Sequence, residues 1–334
     1  MKLLFSDYVT LYFSKYLPGQ LGVSANTIKS YRDSFTLLLR YCRDERKIRP
    51  EKLTFQHFSR KMVIVFLDWL EETRHSGIAT RNQRLAAIHA FFRYVMSETP
   101  DYLNVAADIL KITAKKAPGK AIEYLTIGEL ACLFRQPSVQ TPQGKRDLAL
   151  LSLLYDSGAR VQELVDLKFG DVRLDAPATV QLTGKGSKSR IVPITPDVAD
   201  ILRDYIRYQT GIRPSRELFL NNLGRKFSRS GVEYIIQKYA DTAQNECPTL
   251  ASKKITPHVF RHSKAMHLVE AGINIIYIRD FLGHTSVQTT EIYAKADNLA
   301  RRKALEKAGE NIVPQSRYTS KQKDSLLDWL KACA

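Results

Sequence analysis

The chain has 334 residues, with 51 Lys or Arg against 34 Asp or Glu and a net charge of +17 at pH 7. Apolar residues make up 44% and aromatics 10%, enough for packed cores, which excludes a disordered or collagen-like chain. The length implies about two domains, and so large a basic excess at an ordinary 25% charged content points to a polyanion, nucleic acid before an anionic membrane surface.

The N-terminus does not read as a signal peptide, because Ser6 and Asp7 interrupt the apolar residues that precede them. Apolar positions then recur at helical spacing. Phe5, Tyr8, Val9, Phe13 and Tyr16 make one stripe; Ile28, Tyr31, Phe35, Leu38, Leu39 and Cys42 make a second. A third helix over Val63 to Glu71 and a fourth from Thr80 complete a bundle over residues 1–110. Its basic edges, Lys29 and Arg32 on one helix and Arg81 and Arg84 on another, are expected to contact DNA.

Residues 111–122 read as a basic linker with a Pro-Gly pair and four lysines, of which Lys115, Lys116 and Lys120 are expected to contact DNA. A second domain over 123–310 opens with a capping box, Thr126 to Glu129, ahead of an apolar helix. The next helix, about Lys145 to Asp156, holds the longest mainly apolar run, Leu148 to Tyr155. That run is far short of the ~20 residues a membrane span needs.

Three β-type runs follow, Val172 to Leu174, Thr179 to Thr183 and Arg190 to Ile194, separated by turn residues. Helix returns at Pro196 and again at about 230–242, 257–271, 274–282 and 286–306. Residues 311–334 form a tail in which Leu326, Leu327, Trp329 and Leu330 pattern a short amphipathic helix. The four cysteines, Cys42, Cys132, Cys247 and Cys333, lie far apart, so neither a zinc ribbon nor a disulfide framework is expected, and a reducing cytoplasm fits.

Four of the seven histidines, His258, His262, His267 and His284, fall within 27 residues. His258 and His262 have the i, i+4 spacing of a zinc helix, but Val259 stands where that motif needs Glu and Arg261 would face the cation, so no metal is expected. His258 and Arg261 lie one turn apart near a helix start capped by Thr256 and Pro257, an arrangement suited to a phosphate. His262 and His267 read as structural.

These residues carry a resemblance. His258, Arg261 and His262, then Leu282, Gly283 and His284, then Thr289, Thr290 and Tyr293 resemble the HxLRH, LGH and TTxxY signature of the tyrosine recombinases, the phage integrase family. Upstream, Gly158, Arg160 and Glu163 resemble the first arginine box of that family, and Lys185 in its Gly-Lys-Gly turn resembles the β-hairpin lysine. Phe260 stands where leucine is usual, and no arm-binding domain is expected ahead of the bundle.

The resemblance implies a mainly α chain with a small antiparallel sheet: a SAM-like core-binding bundle followed by a mixed α+β catalytic domain. It implies a site-specific recombinase that cuts and rejoins DNA through a 3′-phosphotyrosyl intermediate, with neither metal nor ATP. Tyr293 would be the nucleophile, Arg160 and Arg261 the phosphate clamp, and His258 the general base. His284 would donate to the phosphate, Lys185 would protonate the leaving 5′-hydroxyl, and Glu163 would orient a cation. Lys188 and Arg190 join the expected DNA contacts. The tail would link protomers, a dimer on each site and a tetramer at synapsis. A type IB topoisomerase-like enzyme and a DNA-binding protein without chemistry are the alternatives.

Overall fold

The structure, a computed structural model, describes residues 4–117, 122–184, 186, 188–284 and 286–296. The chain divides into two compact units, Met1–Lys120 and Ala121–Ala334. Lys120, Lys185 and residues 297–334, with the tail helix expected there, lie outside the described residues.

The first unit contains α1 (Phe5–Leu11), which runs on into a wider π-type coil over Tyr12–Gln20, then α2 (Ala25–Asp44), α3 (Arg60–Glu72), α4 (Ile78–Glu98) and α5 (Leu103–Leu110). Ser24 caps α2 and Ser59 caps α3, each accepting from a backbone amide three residues on, which satisfies donors a helix start leaves open. The core is aromatic: Phe5 stacks on Phe58 at 4.6 Å between centroids, and Tyr12 meets Phe91 edge-on at 5.3 Å. Cys42 is buried in it, as its helical stripe indicates.

In the second unit, α6 (Ile127–Phe134) starts at the expected capping box, with the Thr126 amide donating to Glu129 Oε2 and the Glu129 amide to Thr126 Oγ1. Next come α7 (Pro142–Asp156), α8 (Val161–Asp166) and the strands β1 (Val172–Arg173), β2 (Thr179–Thr183) and β3 (Ser189–Pro193). They form one antiparallel sheet in the order β1-β2-β3, with Val180 opposite Val192 and Thr183 opposite Ser189. Among the described residues, five α-helices follow: α9 (Pro196–Arg207), α10 (Arg229–Ala243), α11 (Pro257–Glu270), α12 (Ile275–Leu282) and α13 (Gln288–Ala296).

Helix α7 runs through the centre of the core. Leu150, Leu151, Leu153 and Leu154 are all fully buried, which is why the run from Leu148 has no polar face. No described helix is long and apolar enough to cross a membrane. Helix α11 is also packed nearly all round, and Ala265, Met266 and Val269 meet Ile278 and Leu282 of α12 and Tyr293 of α13 in a smaller cluster. This second cluster fixes the tyrosine ring.

Candidate active site

Where α7 ends, Gly158 and Ala159 lead to Arg160, in extended conformation at the start of α8. One turn along α8, Glu163 folds back to accept from the Arg160 amide at 2.9 Å and from Arg160 Nη1 at 2.8 Å. From β3, Arg190 makes a bidentate pair with the same carboxylate, Nη1 to Oε1 at 2.9 Å and Nη2 to Oε2 at 2.8 Å. Burial pushes the Glu163 carboxyl up, but the donors from Arg190 and Arg160 outweigh it and hold it at about 2.

The third guanidinium comes from α11. Arg261 is buried and donates from Nη1 to Gly158 O and from Nη2 to Leu282 O, both at 2.6 Å. Arg160 Nη2 donates to Gly283 O at 3.0 Å and Arg190 Nε to Phe281 O at 2.9 Å. Three successive carbonyls at the end of α12 thus hold three different arginines, at the end of a helix where the dipole is negative. Gly283 makes this turn possible. Its φ is +65°, and a Cβ there would come within 3.0 Å of Arg190 Cδ.

Two guanidinium groups share the one carboxylate and a third, Arg261, lies beside them with carbonyl partners only, so the cage carries an excess of positive charge. Burial together with Arg160 and Arg190 lowers Arg261 to about 9, and burial with the same three arginines lowers His284 to about 4. An anion entering the site would relieve both. The end of the β2–β3 hairpin lies alongside: a Cβ on Gly184, the residue before Lys185, would stand 2.9 Å from Glu163 Oε1.

Helix α13 is tied to this cage by two imidazole–hydroxyl pairs. His284 Nδ1 lies 2.9 Å from Thr290 Oγ1, and His262 Nδ1 lies 2.7 Å from Tyr293 Oη. The Tyr293 side chain is nearly sealed, 1% exposed, and burial raises its phenol above the usual range while Arg261 works against that. His262 is held below its usual value by burial, His258 and Arg261.

Several placements differ from the expectations. His258 is exposed, its ring centroid 6.4 Å from that of His262, so the imidazole bonded to the phenol is His262, read from sequence as structural. Arg190, expected at DNA, points inward. Strand alternation puts it on the face of buried Val192 and leaves Ile191 70% exposed, the reverse of what polarity suggests. Arg81 is buried with Nε 3.2 Å from Glu71, because α3 and α4 pack with that pair between them. Arg84 donates to Ser30 O and Ser34 Oγ of α2, and Lys115 pairs with Glu71. These three cations therefore have partners within the first unit, whereas Lys29, Arg32, Lys116 and Lys188 are exposed. His267 accepts or donates at Tyr155 Oη, 2.8 Å away, on the far side of α11.

The depressed imidazoles set a direction for acid stability. An unfolded chain protonates His284 near 6.5 and the folded one near 4, so the unfolded state binds more protons in that window and stability falls as pH drops through it. Glu163 adds a loss of the same sign from 4.5 down towards 2. Thermal midpoints should decline from pH 7 to pH 4.5, and His284→Asn should make the decline shallower; an equally steep decline would contradict the His284 assignment.

The comparisons with known proteins bear on the same residues. Residues 124–299 match the phage integrase family, and residues 12–99 match the N-terminal SAM-like domain of phage integrases. A putative integrase/recombinase of Sinorhizobium fredii is 33% identical over 327 residues, 96% of each chain. A tyrosine recombinase XerC of Herpetosiphon aurantiacus is 31% identical over 291 residues, covering 86% of this chain and 90% of its own. Among solved structures, the Tn1549 transposon integrase in complex with a circular intermediate DNA aligns with a TM-score of 0.69 at 16% identity, over 90% of this chain and 99% of that one.

Proposed function

Since this chain belongs to the phage integrase family, the tyrosine recombinases that cleave and rejoin DNA at specific sites, we propose that Tyr293 is its nucleophile and that Arg160 and Arg261 of the cage hold the scissile phosphate. The observation that carries this reading is the convergence of Arg160, Arg261 and His284 beside a buried tyrosine on one helix end.

Tyr293 Oη would attack the scissile phosphorus, forming the P–O bond to tyrosine as the bond to O5′ breaks. The phenolic proton passes to His262 Nδ1, which takes the role expected of His258. Arg160 and Arg261 stabilise the non-bridging oxygens, where the transition state is most negative. With Thr290 donating to His284 Nδ1, the imidazole proton sits on Nε2 and is available to the phosphate. Lys185 protonates the departing O5′. The phosphotyrosyl bond conserves the energy of the broken one, so a 5′-hydroxyl can reverse the step without ATP. The guanidinium groups supply the charge stabilisation that bound metals give in other phosphoryl transfers.

The experiment needs a substrate, which a random-sequence library of suicide duplexes supplies by covalent capture. In EDTA the native protein should trap a subset of duplexes, and two such sites should exchange strands. Capture that requires magnesium contradicts the reading, and capture without strand exchange supports the topoisomerase-like alternative.

The DNA partner follows from this chemistry and from the +17 charge. Affinity is expected to fall steeply with salt as phosphate counterions are released. In the same reading the enzyme works in the cytoplasm, as a dimer on each site and a tetramer at synapsis, with residues 319–334 joining protomers. Deleting 319–334 should abolish synapsis in gel-shift assays while leaving binding to a single site; a truncated protein that recombines normally removes that role from the tail.

A further inference from the structure

We infer that Arg190 is a positioning residue for strand cleavage: it occupies the Glu163 carboxylate so that Arg160 remains available to the phosphate. The inference rests on the assignment of Arg160 as a phosphate ligand.

Glu163 is 2% exposed, and both of its oxygens are doubly engaged: Oε1 accepts from Arg160 Nη1 and Arg190 Nη1, Oε2 from the Arg160 amide and Arg190 Nη2. The two arginines differ in what they have left. Arg190 spends Nε, Nη1 and Nη2 on protein acceptors and is 14% exposed, whereas Arg160 donates from its two Nη atoms and is 39% exposed. Arg160 can therefore reach a ligand, while Arg190 is turned inward on the carboxylate.

Removing Arg190 would leave a buried, fully charged carboxylate with one guanidinium in reach. Carboxylate and guanidinium favour the two-pronged pair, so Glu163 would draw Arg160 into the geometry Arg190 now holds. It would also release Phe281 O, the first of the three carbonyls that index the cage to the end of α12. A displacement of about 1 Å at a phosphate ligand is enough to cost about 100-fold in rate.

A direct phosphate contact by Arg190 and a positioning role make opposite predictions. For Arg190→Met, single-turnover cleavage of a captured suicide duplex should fall about 100-fold, while the salt dependence of binding to a random-sequence duplex stays as in the native protein. Glu163→Gln in the same chain removes the competing charge, and the double variant should recover about tenfold or more of that loss. Lost packing alone would not be rescued by deleting a charge. Arg190→Lys, which keeps the charge and stem but not the fork, serves if the Met variant unfolds, with cleavage lowered about tenfold at an unchanged salt slope.

A salt slope reduced by about one makes Arg190 a phosphate ligand and overturns the inference. So does a double variant no faster than Arg190→Met. A native protein that captures no duplex instead overturns the assignment of Tyr293, which the two Arg190 outcomes leave standing.

Discussion

Tyr293→Phe is expected to abolish the covalent protein–DNA adduct, a loss of at least about 10⁴-fold, because a phenyl ring offers no atom to bond phosphorus. The fold should tolerate the change. The ring lies among Ala265, Met266, Val269, Ile278 and Leu282, contacts that phenylalanine retains, and the atom removed bonds only to His262 among the contacts described. The expected pattern is an unchanged thermal midpoint, to within about 1 kcal/mol of stability, with DNA binding intact and no adduct on denaturing gels. An adduct that persists assigns the nucleophile to another residue. The same gels separate the two imidazoles: His262→Gln should slow adduct formation more than His258→Gln, since His262 bonds the phenol and His258 is exposed.

The second large effect is expected at Arg261. Arg261→Lys keeps a positive charge yet cannot span Gly158 O and Leu282 O, which the fork bridges with two bonds of 2.6 Å. Loss of the two buried hydrogen bonds should cost about 1–3 kcal/mol of stability, with the repulsion from Arg160 and Arg190 still in place. Nothing offsets the loss in the transition state, where removing one oriented donor typically costs about 10²–10³-fold. Single-turnover cleavage should therefore fall about 10³-fold in a protein that still melts cooperatively. A rate within tenfold of native would show that Arg261 serves the fold alone.

Gly283 connects these two effects. Helix α12 has to end there in the left-handed conformation, and the carbonyls it then presents hold Arg190, Arg261 and Arg160 in turn. In the LGH motif the glycine is thus a structural requirement of the cage, while His284 reaches from it to α13. Arg160 and Arg261, far apart in sequence, come together because each bonds to the same helix end.

Much of this is legible in the sequence. Periodicity located the helices, since an amphipathic stripe is a local property: the helix expected over about 230–242 is Arg229–Ala243, and the one over 257–271 is Pro257–Glu270. Turn residues placed the three strands to within a residue or so, and the motif order pointed to the family. Side-chain direction was a different matter. Arg81, Arg84 and Arg190 have the residue type of DNA contacts, yet each is turned inward by a partner ten or more residues away, Glu71, α2 or Glu163. Likewise, nothing local distinguishes His262 from His258; only the packing of α13 on α11 brings the Tyr293 hydroxyl to one and not the other. The sequence by itself determined the elements, the sign of the charge and the family motifs, because these depend on residue type and short-range spacing. Which cations turn inward to a carboxylate and which imidazole meets the phenol was decided by tertiary structure alone, because a buried charge takes its role from the partners that packing brings within hydrogen-bond reach.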